Sequence, residues 1–298
     1  MLTETTKAII AWLNVCVIWG TTYLAIRIAV GHLPPMLFAG IRWIIAGAIF
    51  IFILKWRGKS LPKAKEIIHL AIVGLALIGF GNGLVVFAEQ WIPSGLAALL
   101  ITTVPFFMVG IEAFLPKGPR LNATILTGLF MGLAGVCLIF GEDIKYLADP
   151  NSLIGVLGLL GAVVFWSIGS LYSKYVKVDV HPLMGASVQM LIAGIVLSAI
   201  GIFIGELPRL NFEINGLLSL AYLIIIGSWV GYSSYIYAIA KLPLSLIATY
   251  AYINPVIALF LGWIILDEKL NLLIAVAAGV IIAGVFMVKQ GTARLKNS

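Results

Sequence analysis

Apolar residues gather into long runs that recur along the whole chain, each close to the roughly 20 residues an α-helix needs to cross the hydrocarbon core of a bilayer. Ten runs are read, over residues 8–30, 35–55, 67–91, 94–115, 121–141, 153–175, 182–205, 214–240, 243–266 and 270–288. Polar positions fall between them in short joints with turn chemistry: HLPP at 32–35, KWRGKSLPKAKE at 55–66, PKGPR at 116–120, GELPR at 205–209 and LDEKL at 266–270. No soluble domain fits in such joints. The first run follows only Lys7, passes through Trp12, Asn14 and Trp19 and lacks a small-residue cleavage site, so it reads as a retained helix and not a signal peptide. The pattern predicts an all-α membrane protein of ten transmembrane helices.

Composition agrees. The chain is 62% hydrophobic and 10% charged with a mean hydropathy of +1.12, whereas a soluble domain carries about 25% charged residues. The net charge of +7 could point to nucleic acid, but sorting the cations by joint gives another meaning. With the N-terminus inside, the inner side receives Lys7, Lys55, Arg57, Lys59, Lys63, Lys65, Lys117, Arg120, Lys174, Lys177, Lys241, Lys289, Arg294 and Lys296; the outer joints hold Lys145, Arg209 and Lys269. That bias follows the positive-inside rule and places both termini in the cytoplasm. The basic excess therefore encodes orientation in a lipid bilayer, and no nucleic-acid partner is expected. Cys16 and Cys137 lie inside separate runs, and His32, His69 and His181 do not cluster, so neither a metal site nor a cofactor is expected.

The chain also repeats itself. Trp19 matches Trp166, Arg27 matches Lys174, Pro35 matches Pro182 and Ala46-Gly47 matches Ala193-Gly194, all 147 residues apart. At 150 residues, Gly81 matches Gly231, Pro93 matches Pro243 and Pro105 matches Pro255; at 149, Ala134-Gly135-Val136 matches Ala283-Gly284-Val285. Residues 1–145 and 146–298 thus read as two copies of a five-helix unit. Because five is odd, the second copy enters the membrane from the opposite side, an inverted repeat of the kind associated with alternating access.

Several stretches in this order resemble the drug/metabolite transporter superfamily, specifically its ten-helix EamA-type members: VIWGTTYLAIR at 17–27, TGLFMGLAGVCLIF at 127–140, AYINPVIALFLGWIILDEKL at 251–270 and AAGVIIAGVFMV at 277–288. The first half departs from the pattern, with EAFLPKGPRL at 112–121 where a copy of WIILDEKL is expected. The resemblance implies a bundle in which the fifth and tenth helices support the others around a central cavity. It also implies movement of small organic metabolites, often the export of amino acids or related compounds, across the bacterial inner membrane.

Ionisable side chains at membrane depth are functional candidates by default. Arg42 lies seven residues past Pro35, about 10 Å into its helix, and Glu89 lies four residues before Pro93 at comparable depth, so the two could form an ion pair. Alternatively, Glu89 at the mouth of a water-poor cavity could couple protonation to gating. Glu112 is expected to snorkel toward Lys117 or Arg120. Substrate contacts are read from matched faces: Trp19 and Tyr23 in the first helix, Trp166 in the sixth, Asn82 in the third, Tyr232 and Tyr235 in the eighth, and Thr102, Tyr252 and Asn254 beside the mid-helix prolines. Trp56 and Trp91 read as interfacial belt residues. Pro105 and Pro255 each remove an amide donor and are read as kinks and gates. No catalytic cluster is found. The expected function is a secondary transporter for a small-molecule substrate. Rival readings are a sugar or nucleotide-sugar carrier and, in a different class, a membrane-embedded enzyme or scaffold.

Overall fold

The computed structural model describes residues 3–92, 94–115, 122–141, 145, 149–211, 213–257 and 272–297. Among these there is helix and no strand. We label the helices α1 (Glu4–His32), α2 (Pro35–Trp56), α3 (Ala64–Ala88), α4 (Ser94–Ile101 and Val104–Ala113), α5 (Ala123–Phe140), α6 (Leu153–Tyr175), α7 (Pro182–Phe203), α8 (Ile214–Lys241), α9 (Leu244–Ile257) and α10 (Leu272–Asn297). Among the described residues eight are long and apolar enough to cross a membrane, while α5 and α9 are shorter apolar helices. The whole WIILDEKL stretch, residues 263–270, lies outside the described residues, as does Pro93.

Local chemistry sets the helix ends. The Thr3 hydroxyl accepts from the Thr6 amide at 3.1 Å to start α1. Asn122 does the same for Ile125 at 2.8 Å and also donates to the Gly291 carbonyl, which ties the start of α5 to α10. Pro35 and Pro182 open α2 and α7, where a missing amide costs nothing.

Two helix pairs form the densest contacts, α2 with α7 and α5 with α10. In a bilayer such pairs rely on close backbone approach across small residues. A Cβ added to Gly47 would stand 2.6 Å from the Leu191 amide nitrogen, and one on Gly194 would stand 2.6 Å from that of Ile44. Gly128 and Gly284 face each other's carbonyls in the same way across α5 and α10. Around these pairs α1 lies along α8, and α6 lies along α3. Outward faces carry exposed Phe52, Phe130 and Phe203, with Trp56 and Trp91 exposed near helix ends.

Two features depart from plain α-helix. The middle of α3, Leu75–Asn82, and the middle of α8, Leu223–Tyr232, are wound as π-helix. In addition, α4 is broken at Thr102-Thr103 just before Pro105, and α9 is interrupted at Thr249. The sequence reads Pro105 and Pro255 as kinks; the turns fall at Thr102-Thr103, just before Pro105, and at Thr249, six residues before Pro255. Thr102, Thr103 and Thr249 each turn the hydroxyl back onto a carbonyl three residues earlier, at 2.5–2.6 Å. These bonds satisfy groups that a broken helix would leave bare in lipid, and Pro105 serves to begin the second piece of α4.

Candidate functional site

Trp19 on α1 and Trp166 on α6 meet edge to face, with ring centroids 5.3 Å apart. Each needs a glycine opposite it. A Cβ on Gly81 would fall 2.9 Å from the Trp166 ring, and one on Gly231 would fall 2.7 Å from Nε1 of Trp19. Tyr235 and Tyr250 complete an aromatic cluster around Trp19, with centroids at 5.1 and 5.2 Å. Trp166 Nε1 donates to the Tyr235 hydroxyl at 3.0 Å, and Ser170 shares a hydrogen bond with the same oxygen at 2.6 Å. Edge and offset contacts of this kind add roughly 0.5–1.5 kcal/mol per pair beyond burial.

Beside the cluster lies a cavity of about 80 Å³. Its polar lining comes from Thr22, Tyr23, Arg42, Asn82, Tyr232 and Asn254, and its aromatic lining includes Trp19, Trp43, Trp166 and Tyr250. Trp43 Nε1 donates to Oδ1 of Asn82 at 3.1 Å, and the Tyr232 hydroxyl donates to Oε1 of Gln189 at 2.8 Å. Asn254, with its amide nitrogen turned toward the carbonyls of Cys16 and Tyr250 at 2.9 Å each, bridges α1 and α9. The π-helical segments end on Asn82 and Tyr232, both in this wall.

Most of the residues read from the sequence thus converge, and some do not. Thr102 is buried with its hydroxyl on the Leu99 carbonyl, while Ile101 and Val104 take the cavity positions. Tyr252 sits against Gly132 and donates to the Leu129 carbonyl at 3.1 Å, so it braces α9 against α5. Its place in the wall belongs to Tyr250. Tyr250 and Asn254 are four apart and share a helical face, which Tyr252, two residues from each, does not. Trp43, absent from the sequence reading, stands next to Arg42 and is signalled by nothing but that adjacency.

The ionisable residues also rearrange. Arg42 and Glu89 do not pair. Arg42 donates from Nε to the Ser228 hydroxyl at 3.0 Å, and its guanidinium carbon sits 4.3 Å from the centre of the Trp43 ring. Glu89 ends α3 with both carboxylate oxygens buried and without a hydrogen-bond partner. It lies in a second recess, with Arg27, Gln90, Trp91, Ile92, Asp149 and Ser152. The counterpart of Arg27, Lys174, instead donates to the carbonyls of Ile239 and Leu242 at the end of α8. Glu112 is buried and accepts from the Tyr175 hydroxyl at 2.8 Å; Lys117 and Arg120, toward which it is expected to snorkel, lie outside the described residues.

The EamA-like transporter family model matches residues 6–141 and again 153–290. The chain belongs to the EamA-like transporter family. This EamA-type chain is 34% identical over 92% of its length to the uncharacterized inner membrane transporter YedA of Escherichia coli, covering 88% of that protein. It is 29% identical to the uncharacterized transporter YoaV of Bacillus subtilis, over 94% of this chain and 96% of that one. A third relative, 23% identical over 92% of each chain, carries the name probable amino-acid metabolite efflux pump of Escherichia coli. A crystal structure at 22% identity superposes with a TM-score of 0.80 over 96% of this chain and 98% of the other, a shared fold. The EamA-type transporter is a multi-pass protein of the inner (cytoplasmic) membrane with a small molecule as its cargo. Both matched segments of this EamA-type transporter contribute to its cavity, the first through Trp19, Tyr23, Arg42, Trp43 and Asn82 and the second through Trp166, Tyr232, Tyr250 and Asn254.

Proposed function

We propose that the chain is a secondary carrier that exports amino acids or related small metabolites by alternating access between two inverted five-helix halves, 1–145 and 146–298. The observation that carries this reading is the cavity shared by both halves, where aromatic faces and a few oriented polar groups suit a small amphipathic solute. Its size supports the mechanism. About 80 Å³ is well below the roughly 300 Å³ at which ligand pockets begin, so the walls must part to admit cargo. The helix pairing supports it too, since α1 against α8 and α3 against α6 become one another when the halves are exchanged. The name of the efflux-pump relative favours amino-acid metabolites over sugars.

Ten transmembrane passes belong to the same reading, with α5 and α9 counted among them. For energy, the solute's own gradient or a proton gradient suffices, since the sequence has no phosphate-binding loop. Glu89 is the proposed proton site. Its oxygens lack partners, and the charged groups around it are Arg27 from α1 and Asp149 from the joint before α6, with Tyr23 of α1 nearby.

Flux into proteoliposomes, screened over labelled amino acids and sugars with and without a proton gradient, tests the reading. Amino-acid or related flux is expected; no flux for any solute would favour an enzyme or scaffold. The substitution Glu89→Gln is expected to abolish proton-driven flux and spare substrate exchange. Proton dependence that survives the substitution would leave Glu89 a structural residue.

A further inference from the structure

Arg42 is 3% exposed and lines the cavity, yet none of the ion pairs among the described residues involves it. Its one hydrogen bond goes from Nε to Ser228, and its ring contact is with Trp43. The Nη groups, which carry most of the donors of a guanidinium, have no acceptor among the described residues. A charge held at this depth only to brace helices would be expected to face a carboxylate, because an uncompensated buried charge is costly. Here the surroundings do something else. Ser228 and the Trp43 face hold the guanidinium in the wall of the cavity, with one Nη group close to Gly227 of α8.

We propose that Arg42 anchors the carboxylate of the transported solute, with the neighbouring aromatic wall receiving the apolar part. A planar fork of N–H donors matches a carboxylate with two parallel bonds. Arg42 is the one cationic residue among those lining the cavity, which suits a single negative charge better than a doubly charged phosphate. Symmetry sharpens the assignment. The residue 147 positions later is Gln189, a neutral amide that accepts from the Tyr232 hydroxyl, so among the described lining residues the cation comes from the first half. This assignment rests on the carrier reading and specifies what its site recognises.

Equilibrium binding to the purified full chain tests it with three matched probes: 3-phenylpropionate, its amide and 3-phenylpropylamine, read by tryptophan fluorescence. The acid is expected to bind at least tenfold more tightly than the amide. Arg42→Gln is expected to bring acid and amide within about threefold of each other, and Arg42→Lys to keep part of the preference. Should Arg42→Gln not fold, Ser228→Ala, which frees the guanidinium from its orienting bond, is expected to narrow the gap. Equal binding of acid and amide by the native chain, binding of none of the three, or a gap unchanged in every folded variant overturns the proposal. Displacement of the acid by inorganic phosphate at concentrations where chloride is inert would overturn the choice of carboxylate. Binding that discriminates as expected, in a protein that shows no flux, would instead sink the carrier reading alone.

Discussion

Buried polar residues find partners that sequence distance hides. Glu112 accepts from Tyr175, 63 residues away, and Glu206 places its two oxygens 3.2 and 2.7 Å from the Met36 and Leu37 amides, so that the joint after α7 caps the start of α2. Tyr175→Phe removes the donor and leaves the Glu112 carboxylate without its partner. A loss of about 1–3 kcal/mol is expected, read as a lower melting temperature in detergent, whereas Glu112→Gln, which keeps an acceptor, should lose less. Spacing along one helix could not announce either contact. From the sequence, Glu206 was an acid in an outer joint and Glu112 a snorkelling one, because both sit near helix ends. Their burial depends on which helix lies alongside. By contrast, Trp19 and Trp166 were legible because their recurrence 147 residues apart marked them, and Tyr252 was read as a substrate contact where Tyr250, a polar candidate beside the same proline, lines the cavity although the helical period separates them.

The interlocked helices owe their approach to particular glycines. Gly47→Val would drive a branched side chain into the backbone of α7, with an expected cost of about 1–3 kcal/mol or more. Gly110, whose added Cβ would meet nothing within 4 Å, is the control. Gly110→Ala is expected to be neutral or to gain up to about 1 kcal/mol from helix propensity. Comparing unfolding of the two variants against the native chain decides between close packing and a general intolerance of change at glycine. The existence of these helices was plain in the apolar runs. Their winding was not, since neither the π-helical stretches nor the threonine breaks alter which residues are apolar. Proline marked the breaks to within a few residues but not their form.

Across the whole molecule, opposite orientation of the halves is open to direct measurement. The joint after α2 and the joint after α7 occupy corresponding places in the two halves of the proposed repeat. With the native cysteines replaced, Lys59→Cys is expected to resist a membrane-impermeant maleimide added to intact cells, while Asn211→Cys reacts. Equal protection or equal labelling of the two would refute inverted orientation. The match of both halves to one family model was foreshadowed by tryptophans, glycines and prolines that recur at nearly constant offsets; the proposed asymmetry was not, because it depends on what faces Arg42 and Gln189. That asymmetry leads back to the wide turns of α8. Within its π-helical stretch the Ser228 hydroxyl donates to the carbonyl five residues back, Leu223, at 3.0 Å, and accepts from Arg42. The spacing of that bond follows the i→i+5 winding and not the α-helical one. The pitch of one helix and the placement of one cation are therefore mechanically joined: tightening α8 to ordinary α-helix would withdraw the peg on which the guanidinium hangs.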